Sequence, residues 1–180
     1  MFPDDFKSYG TSEAVRLALH RMVNRGLIKR AAQGIYYRPR FSKLLGELSP
    51  TAENIALAIA KRDRIRLVPT GSYALNALGL STQVPTKLVY LTDGAARLVK
   101  VGNRTIMFKK TTPKNLLTKG EISTLVIQAL REIGNGRVLP VEEEKILEVL
   151  KKENPIYLKH DIDLAPVWIA KIMKKALPNE

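Results

Sequence analysis

The side chains best suited to chemistry in this chain are its bases. Ser12, Arg16, His20 and Arg21 fall within one amphipathic segment, and Lys29, Arg30, Arg38 and Arg40 flank the stretch after it. Arg can bridge the edge of a guanine with two hydrogen bonds, and Lys or Arg neutralises phosphates. Such a set is suited to a polyanion. Other chemistries have fewer candidates. His20 and His160 are the only two histidines, and His160-Asp161-x-Asp163 has donor types that a metal accepts. That motif reads as a surface loop in a helix connection. Glu142-Glu143-Glu144 follows Pro140, where a helix dipole favours negative charge without any ligand. The absence of cysteine removes disulfide and thiolate-metal frameworks.

An enzyme reading rests on "GSYALNALG", which is similar to the Gly-Ser turn that opens a nucleotidyltransferase site. That chemistry needs paired carboxylates on a neighbouring strand to hold divalent metals. The following strand, "KLVYLTDG", offers only Asp93. Ser72 reads as a helix N-cap, and no Gly-rich phosphate loop with Lys is present. The chain is therefore expected to be a non-enzyme, with no catalytic residue, metal ligand or cofactor.

Composition supports a polyanionic partner. Lys and Arg number 30 against 17 Asp and Glu, a net charge of +13 in 180 residues. Nine bases face three acids in residues 1–45, twelve face four in 46–120, and nine face ten in 121–180. The positive charge thus belongs to the first two-thirds. No run approaches the roughly 18 apolar residues that span a bilayer. "MFPDDF" lacks the charged start and apolar stretch of a signal peptide. A cytoplasmic protein without a membrane partner is expected.

Several elements must position the bases. "FPDDFKSYG" places Pro at a first helical position and acids in the first turn, and Gly10 ends it. Thr11 or Ser12 can cap a helix that runs to about Asn24 and stops at Gly26. Val15, Leu19, Met22 and Val23 share its apolar face at the 3.6-residue period. "LIKRAA" and "GIYYRP" read as a hairpin turning at Gln33-Gly34, with one of Tyr36 and Tyr37 facing a core. "RPRFSKLLGELSP" reads as a connector. Ser49-Pro50 reads as N-cap and first residue of a helix to Lys61, burying Ile55, Ala56, Leu57, Ile59 and Ala60. "RIRLVP", "TKLVYLT", "ARLVKV" and "RTIMFKK" read as strands, the last two joined at Gly102-Asn103. "GSYALNALG" reads as a short helix, and Ser81 to Pro85 as an ordered loop. Helices are expected over 119–133, 141–152 and 164–177.

Helix, tight turn, helix and two-stranded wing is the order of a winged helix-turn-helix, whose second helix enters the major groove. Ser12 and Arg16 are placed for base edges, His20 and Arg21 for phosphates, and the bases flanking the hairpin for the DNA backbone. The resulting expectation is an α+β fold. Residues 1–45 form a DNA-binding module, and residues 46–180 form a mixed-sheet module with a helical C-terminal part.

"RLALHRMVNRGLIKRAAQGIYYRP" followed by "GSYALNALGLSTQVPTKLVYLTDG" resembles the AbiEi-like antitoxins. These are the transcriptional-regulator halves of abortive-infection, type IV toxin–antitoxin systems. The resemblance covers nearly the whole chain, and "LGLSTQVP" is its most specific part. It implies an antitoxin that binds the promoter DNA of its own operon and counteracts a nucleotidyltransferase-like toxin without necessarily forming a stable complex. Members of that family carry a further helix ahead of the "FPDDF" position, so the winged module is expected to lack its first helix. The alternative is a basic module that acts by binding a toxin or its RNA substrate. Its surface would include Lys61, Arg62, Arg64, Arg66, Lys109 and Lys110. The oligomeric state is left open, and a second subunit, the second module or the C-terminal helices are expected to cover the face left by that helix.

Overall fold

The computed structural model describes residues 1–177 of the chain; the last three positions of the expected 46–180 module lie outside the described residues. The fold is α+β.

The chain opens with a 3-10 turn over Pro3–Tyr9, kinked at Phe6, in which the Asp5 carboxylate accepts from the Phe2 N–H at 2.8 Å. Helix α1 (Ser12–Asn24) starts at Thr11, whose hydroxyl accepts from Ala14 N–H. It ends where the Gly26 N–H reaches the Val23 carbonyl and the Leu27 N–H reaches that of Met22. This closure needs a left-handed residue, and Gly26 supplies it at φ 71°. Strands β1 (Lys29–Ala32) and β2 (Ile35–Tyr37) form the expected hairpin. The Met1 amine donates to the Tyr36 carbonyl and the Tyr36 N–H to the Met1 carbonyl, adding a third strand position beside β2.

The expected connector is a second hairpin, β3 (Arg40–Ser42) with β4 (Gly46–Leu48). Its strands are short and its alternation is hidden by three exposed leucines, so it carries little period-2 signal. Helix α2 spans Ala52–Asp63 and is capped by Thr51, which accepts from the Asn54 N–H at 3.2 Å. Ser49 and Pro50 therefore precede the helix; the Ser-Pro pair mimics the cap and first residue, but the hydroxyl two positions on makes the bond.

Strand β5 (Leu67–Pro69), helix α3 (Ser72–Ala77) and strands β6 (Lys87–Thr92), β7 (Arg97–Val101) and β8 (Arg104–Lys110) complete the sheet module. The order is β5-β6-β8-β7, with β6 and β8 parallel and the other pairs antiparallel. The β7–β8 hairpin thus inserts its second strand beside β6. Leu88 and Tyr90 of β6 and Ile106 and Phe108 of β8 point to one face, following the two-residue period, and pack under Ile55, Ala56 and Ile59 of α2. Phe2 and Ile35 join this core, which ties the N-terminal module to the sheet. Leu57, expected inside, is exposed. Ser72 is the first residue of α3 rather than its cap; Gly71 holds that position, and no side chain caps it.

The C-terminal part is helical: α4 (Glu121–Ile133), α5 (Pro140–Leu150), α6 (Pro155–Leu164) and α7 (Val167–Lys174). The last helix, expected from Leu164, begins at Val167 after Ala165-Pro166; Leu164 instead closes α6, which lies where a connection was expected. Val126, Leu130, Ile146, Leu150, Ile169 and Met173 form its core with Ala74 and Leu78 of α3.

Candidate nucleic-acid interface

Helix α1 is held on one side only. Val15 and Leu19 are buried with Ile28, and Phe6, Val23 and Tyr36 pack around them. Met22, expected in that face, is exposed. At about 100° per residue, Ser12 falls between Leu19 and Val23 on the packed side, Arg16 lies at its edge, and His20 and Arg21 point away from it. All four are exposed, and His20 Nε2 lies 3.3 Å from the Asn24 amide nitrogen. Among the described residues, Arg16, Arg21, Arg38 and Arg40 have no ion-pair partner. Their charge faces solvent, as a phosphate-binding surface requires.

The hairpin bases are placed less uniformly. Lys29 is bonded to Glu47 of β4 at 2.6 Å, and that hydrogen bond raises its pKa. A phosphate would have to displace this carboxylate. The Arg30 Nε donates to the Ala32 carbonyl at 3.3 Å. Arg30 also lines a cleft of about 500 Å³ with Tyr37, Thr51 and Arg104. Lys29 pairs with Tyr37 and Arg30 with Tyr36, so the charge sits at the base of the hairpin. The tip is occupied differently: Gln33 borders a cleft with Arg62 and β7. The structure thus brings Arg16, His20 and Arg21 together on α1, and sets Lys29, Arg30, Arg38 and Arg40 by the base of the hairpin rather than along a free wing. Arg25 and Arg104 were passed over in the motif reading. Arg25 closes α1, exposed and without an ion pair, so its place one position before the helix-stopping glycine was the available signal.

The acids of the enzyme reading have structural occupations. Asp93 accepts from the Arg66 N–H at 2.9 Å, joining the ends of β5 and β6. Asp161 is fully buried and sits on α6, not in a surface loop. Its oxygens accept from the Lys119 and Gly120 N–H groups, each at 2.8 Å, and from the Ser123 hydroxyl. A cleft of about 800 Å³ lies between α2, β5 and the start of α4 and is lined by Leu57, Tyr73, Tyr90 and Leu117. Burial pushes both tyrosine phenols up, Tyr90 well above its ordinary range, which keeps them neutral donors. Among the described residues no three His, Asp or Glu side chains are grouped as a metal would need. No helix among them is long and apolar enough to cross a membrane.

The profile of a family of unknown function, DUF6088, matches residues 1–158. The chain belongs to this family. The match runs from the 3-10 turn into the first turn of α6, so DUF6088 membership takes in both hairpins, the sheet, α4 and α5. Neither a curated protein nor a solved structure matches the chain.

Proposed function

We propose that this chain is a DNA-binding antitoxin and autoregulator of a type IV system, and that it is not an enzyme. On this reading it binds the promoter of its own operon and counteracts a nucleotidyltransferase-like toxin. One observation carries the DNA-binding part: α1 is fixed from behind by Val15, Leu19 and Ile28 while Arg16 and Arg21 stand in solvent, without an ion pair among the described residues, in the order 3-10 turn, helix, hairpin. A helix so mounted can enter a major groove without unpacking its support. The antitoxin part rests on the resemblance of the segment Gly71 to Gly94.

Promoter binding at several salt concentrations tests the proposal. Arg16→Ala should cost about 1–3 kcal/mol and relax specificity at one base position. Arg38→Ala should weaken all sequences alike and lower the salt slope by about one. Equal, sequence-independent losses for both variants would remove base reading by α1.

A second reading is favoured by a separate surface. Lys61, Arg64, Arg66, Lys109 and Lys110 are all exposed, and Leu67 and Lys110 both pair with Thr92, so these bases share one end of the sheet. If toxin or RNA binding falls with Lys109→Ala and Lys110→Ala while promoter binding stays intact, this surface acts on its own.

A further inference from the structure

The cleft between α2, β5 and the start of α4 has no part in promoter binding by α1, yet it has the make-up of a ligand site. Its volume of about 800 Å³ lies in the range that small-molecule sites occupy. Leu57 and Leu117 line it and are 60% and 44% exposed, large apolar side chains left in water. Leu57 follows Glu53 by one turn, so an acid and an apolar wall share a face of α2. Tyr73 and Tyr90 line it too, their ring centres 6.2 Å apart.

Four lining residues are charged, Glu53 and Glu121 against Arg66 and Lys119. Burial, then the charges of Glu53 and Glu121, push the Tyr73 phenol up; burial, Tyr73 and Glu53 do the same to Tyr90. Both acids therefore lie within electrostatic reach of the phenols. Lys119 precedes Glu121 by two residues, so the α4 wall carries one charge of each sign. Arg66 marks the other end. Pro69 pairs with Tyr90, and Arg66 stands three residues earlier, about 10 Å away at the rise of a strand. Lys109 and Lys110 share that end of the sheet. Glu53 gives one oxygen to Arg104 at 3.3 Å, and Asp93 accepts from the Arg66 N–H. Glu121, Arg66 and Lys119 have no ion pair among the described residues.

We propose that this cleft holds a guanine nucleotide, its base between the leucine and tyrosine walls with its donor edge on Glu121, and its phosphate on Arg66. Unpaired bases are held between aromatic and apolar side chains and read at the Watson–Crick edge. Guanine sets two adjacent donors, N1–H and the N2 amine, against a carboxylate. Adenine and cytosine offer one amine beside a ring acceptor, and uracil one N–H between two carbonyls. The neutral phenols supply donors for the acceptors of the ring. The distance from Tyr90 to Arg66 is of the order of one nucleotide, from base edge to phosphate. Two sources share this chemistry: a free mononucleotide, and an unpaired guanine in a single strand whose next phosphates reach Lys109 and Lys110. The site extends the RNA reading of that end of the sheet and needs no promoter binding.

Calorimetric titration of the full chain with nucleoside 5′-monophosphates tests this. The guanosine compound should bind, and the inosine compound, which lacks the N2 amine, should bind about tenfold more weakly. Glu121→Ala should erase that preference. Arg66→Ala should weaken both compounds alike and leave the binding of unphosphorylated guanosine unchanged. Leu57→Lys, at an exposed position, should block the cleft while the circular dichroism spectrum and promoter binding stay as in wild type, which separates this site from α1. A short single-stranded RNA with a single guanine identifies the source. Binding tighter than that of the mononucleotide, and weakened by Lys109→Ala and Lys110→Ala, supports the site as an RNA site; equal binding supports it as a site for the free nucleotide. Failure of both the mononucleotide and the RNA to bind overturns the proposal. Binding that ignores the base, that keeps its preference in Glu121→Ala or that survives Leu57→Lys overturns it too.

Discussion

Helices α1 and α4 are both 13 residues long, and they begin in opposite ways. At the start of α1 the Thr11 hydroxyl accepts from one N–H at 3.3 Å, in solvent. At the start of α4 two carboxylates reach in, Asp161 from α6 and Glu153 from the connection between α5 and α6. Asp161 accepts from the N–H groups of Lys119 and Gly120, and Glu153 from those of Ile122 and Ser123 at 2.8 and 3.0 Å. The helix dipole favours negative charge there, and burial leaves these donors no water to fall back on. Behind α1 lie three buried side chains; behind α4 lies the largest cluster in the molecule. One helix is anchored at its start and along a wide buried face, and the other is mounted on its rear face with its charges outward. On the proposed function, stability and recognition are therefore built into different regions.

The largest expected effect breaks the anchored end. Asp161→Ala removes the acceptor of two backbone N–H groups and a buried hydroxyl, each costing about 1–3 kcal/mol when left unmade. A loss above about 3 kcal/mol in urea unfolding is expected on that basis. Gly120→Ala should act on the same joint, since an added methyl would land on the Glu153 carboxylate and the Ser123 hydroxyl. Thr11→Ala, the matched change on α1, should cost about 1 kcal/mol. If Thr11→Ala and Asp161→Ala prove equal, the contrast between the helices fails.

The same contrast explains what was legible in the residues. Elements marked by local signals were visible: the Gly26 stop, the alternating Leu88 and Tyr90, the turn at Gly102-Asn103. The mixed sheet expected from segments near Arg66, Leu88, Leu98 and Ile106 is present, because each strand carries its own period and turn. Partners distant in the chain were not visible. Asp161 lies 41 residues from Gly120, and nothing in "KHDID" announces that its acid faces a helix start. The pairing of Lys29 with Glu47 was hidden for the same reason, since it needs the unexpected second hairpin. Leu57 and Met22 were placed inside by periodicity, yet a helix packed on one side buries a narrower stripe than its apolar residues span. The outward bases of α1 were legible because solvent exposure needs no partner.

A smaller effect concerns the joint between the regions. Asp63, at the end of α2, is bonded to Arg62 at 2.7 Å and to Arg97, while the Arg62 guanidinium lies 4.3 Å from the Phe2 ring centre. The bond from Arg62, helped by Arg97 and opposed by partial burial, holds the Asp63 carboxyl below its usual pKa of 3.8. A depressed carboxylate stabilises the fold above its unfolded pKa, and that contribution is lost as pH falls through the folded one. Wild type should therefore lose stability below about pH 4, and Asp63→Asn should flatten that part of the pH profile. At neutral pH the substitution should cost no more than about 1 kcal/mol, as the pair is partly exposed. An unchanged acid profile in Asp63→Asn would show that the joint does not depend on this charge.

The smallest effect has the opposite sign. Arg64 follows α2 in the left-handed conformation, φ 54° and ψ 42°, and is the only non-glycine with positive φ among the described residues. The Ile65 N–H bonds to the Ala60 carbonyl across it, the closure that Gly26 and Gly79 provide elsewhere. A side chain in that conformation costs roughly 1–2 kcal/mol, and glycine removes the cost while losing some in unfolded-chain entropy. Arg64→Gly should therefore raise stability by about 0.5 kcal/mol, read as a small rise in the urea midpoint. The guanidinium stands with Arg66, Lys109 and Lys110 in the exposed basic group at the end of the sheet, where it has no ion pair among the described residues. The variant should thus gain stability and lose affinity for whatever polyanion this end of the sheet binds, with promoter binding through α1 unaffected. A variant that gains stability and binds RNA, toxin and promoter as wild type does would confine recognition to the N-terminal module. A loss of promoter binding would instead extend the DNA-contacting surface from α1 to the sheet.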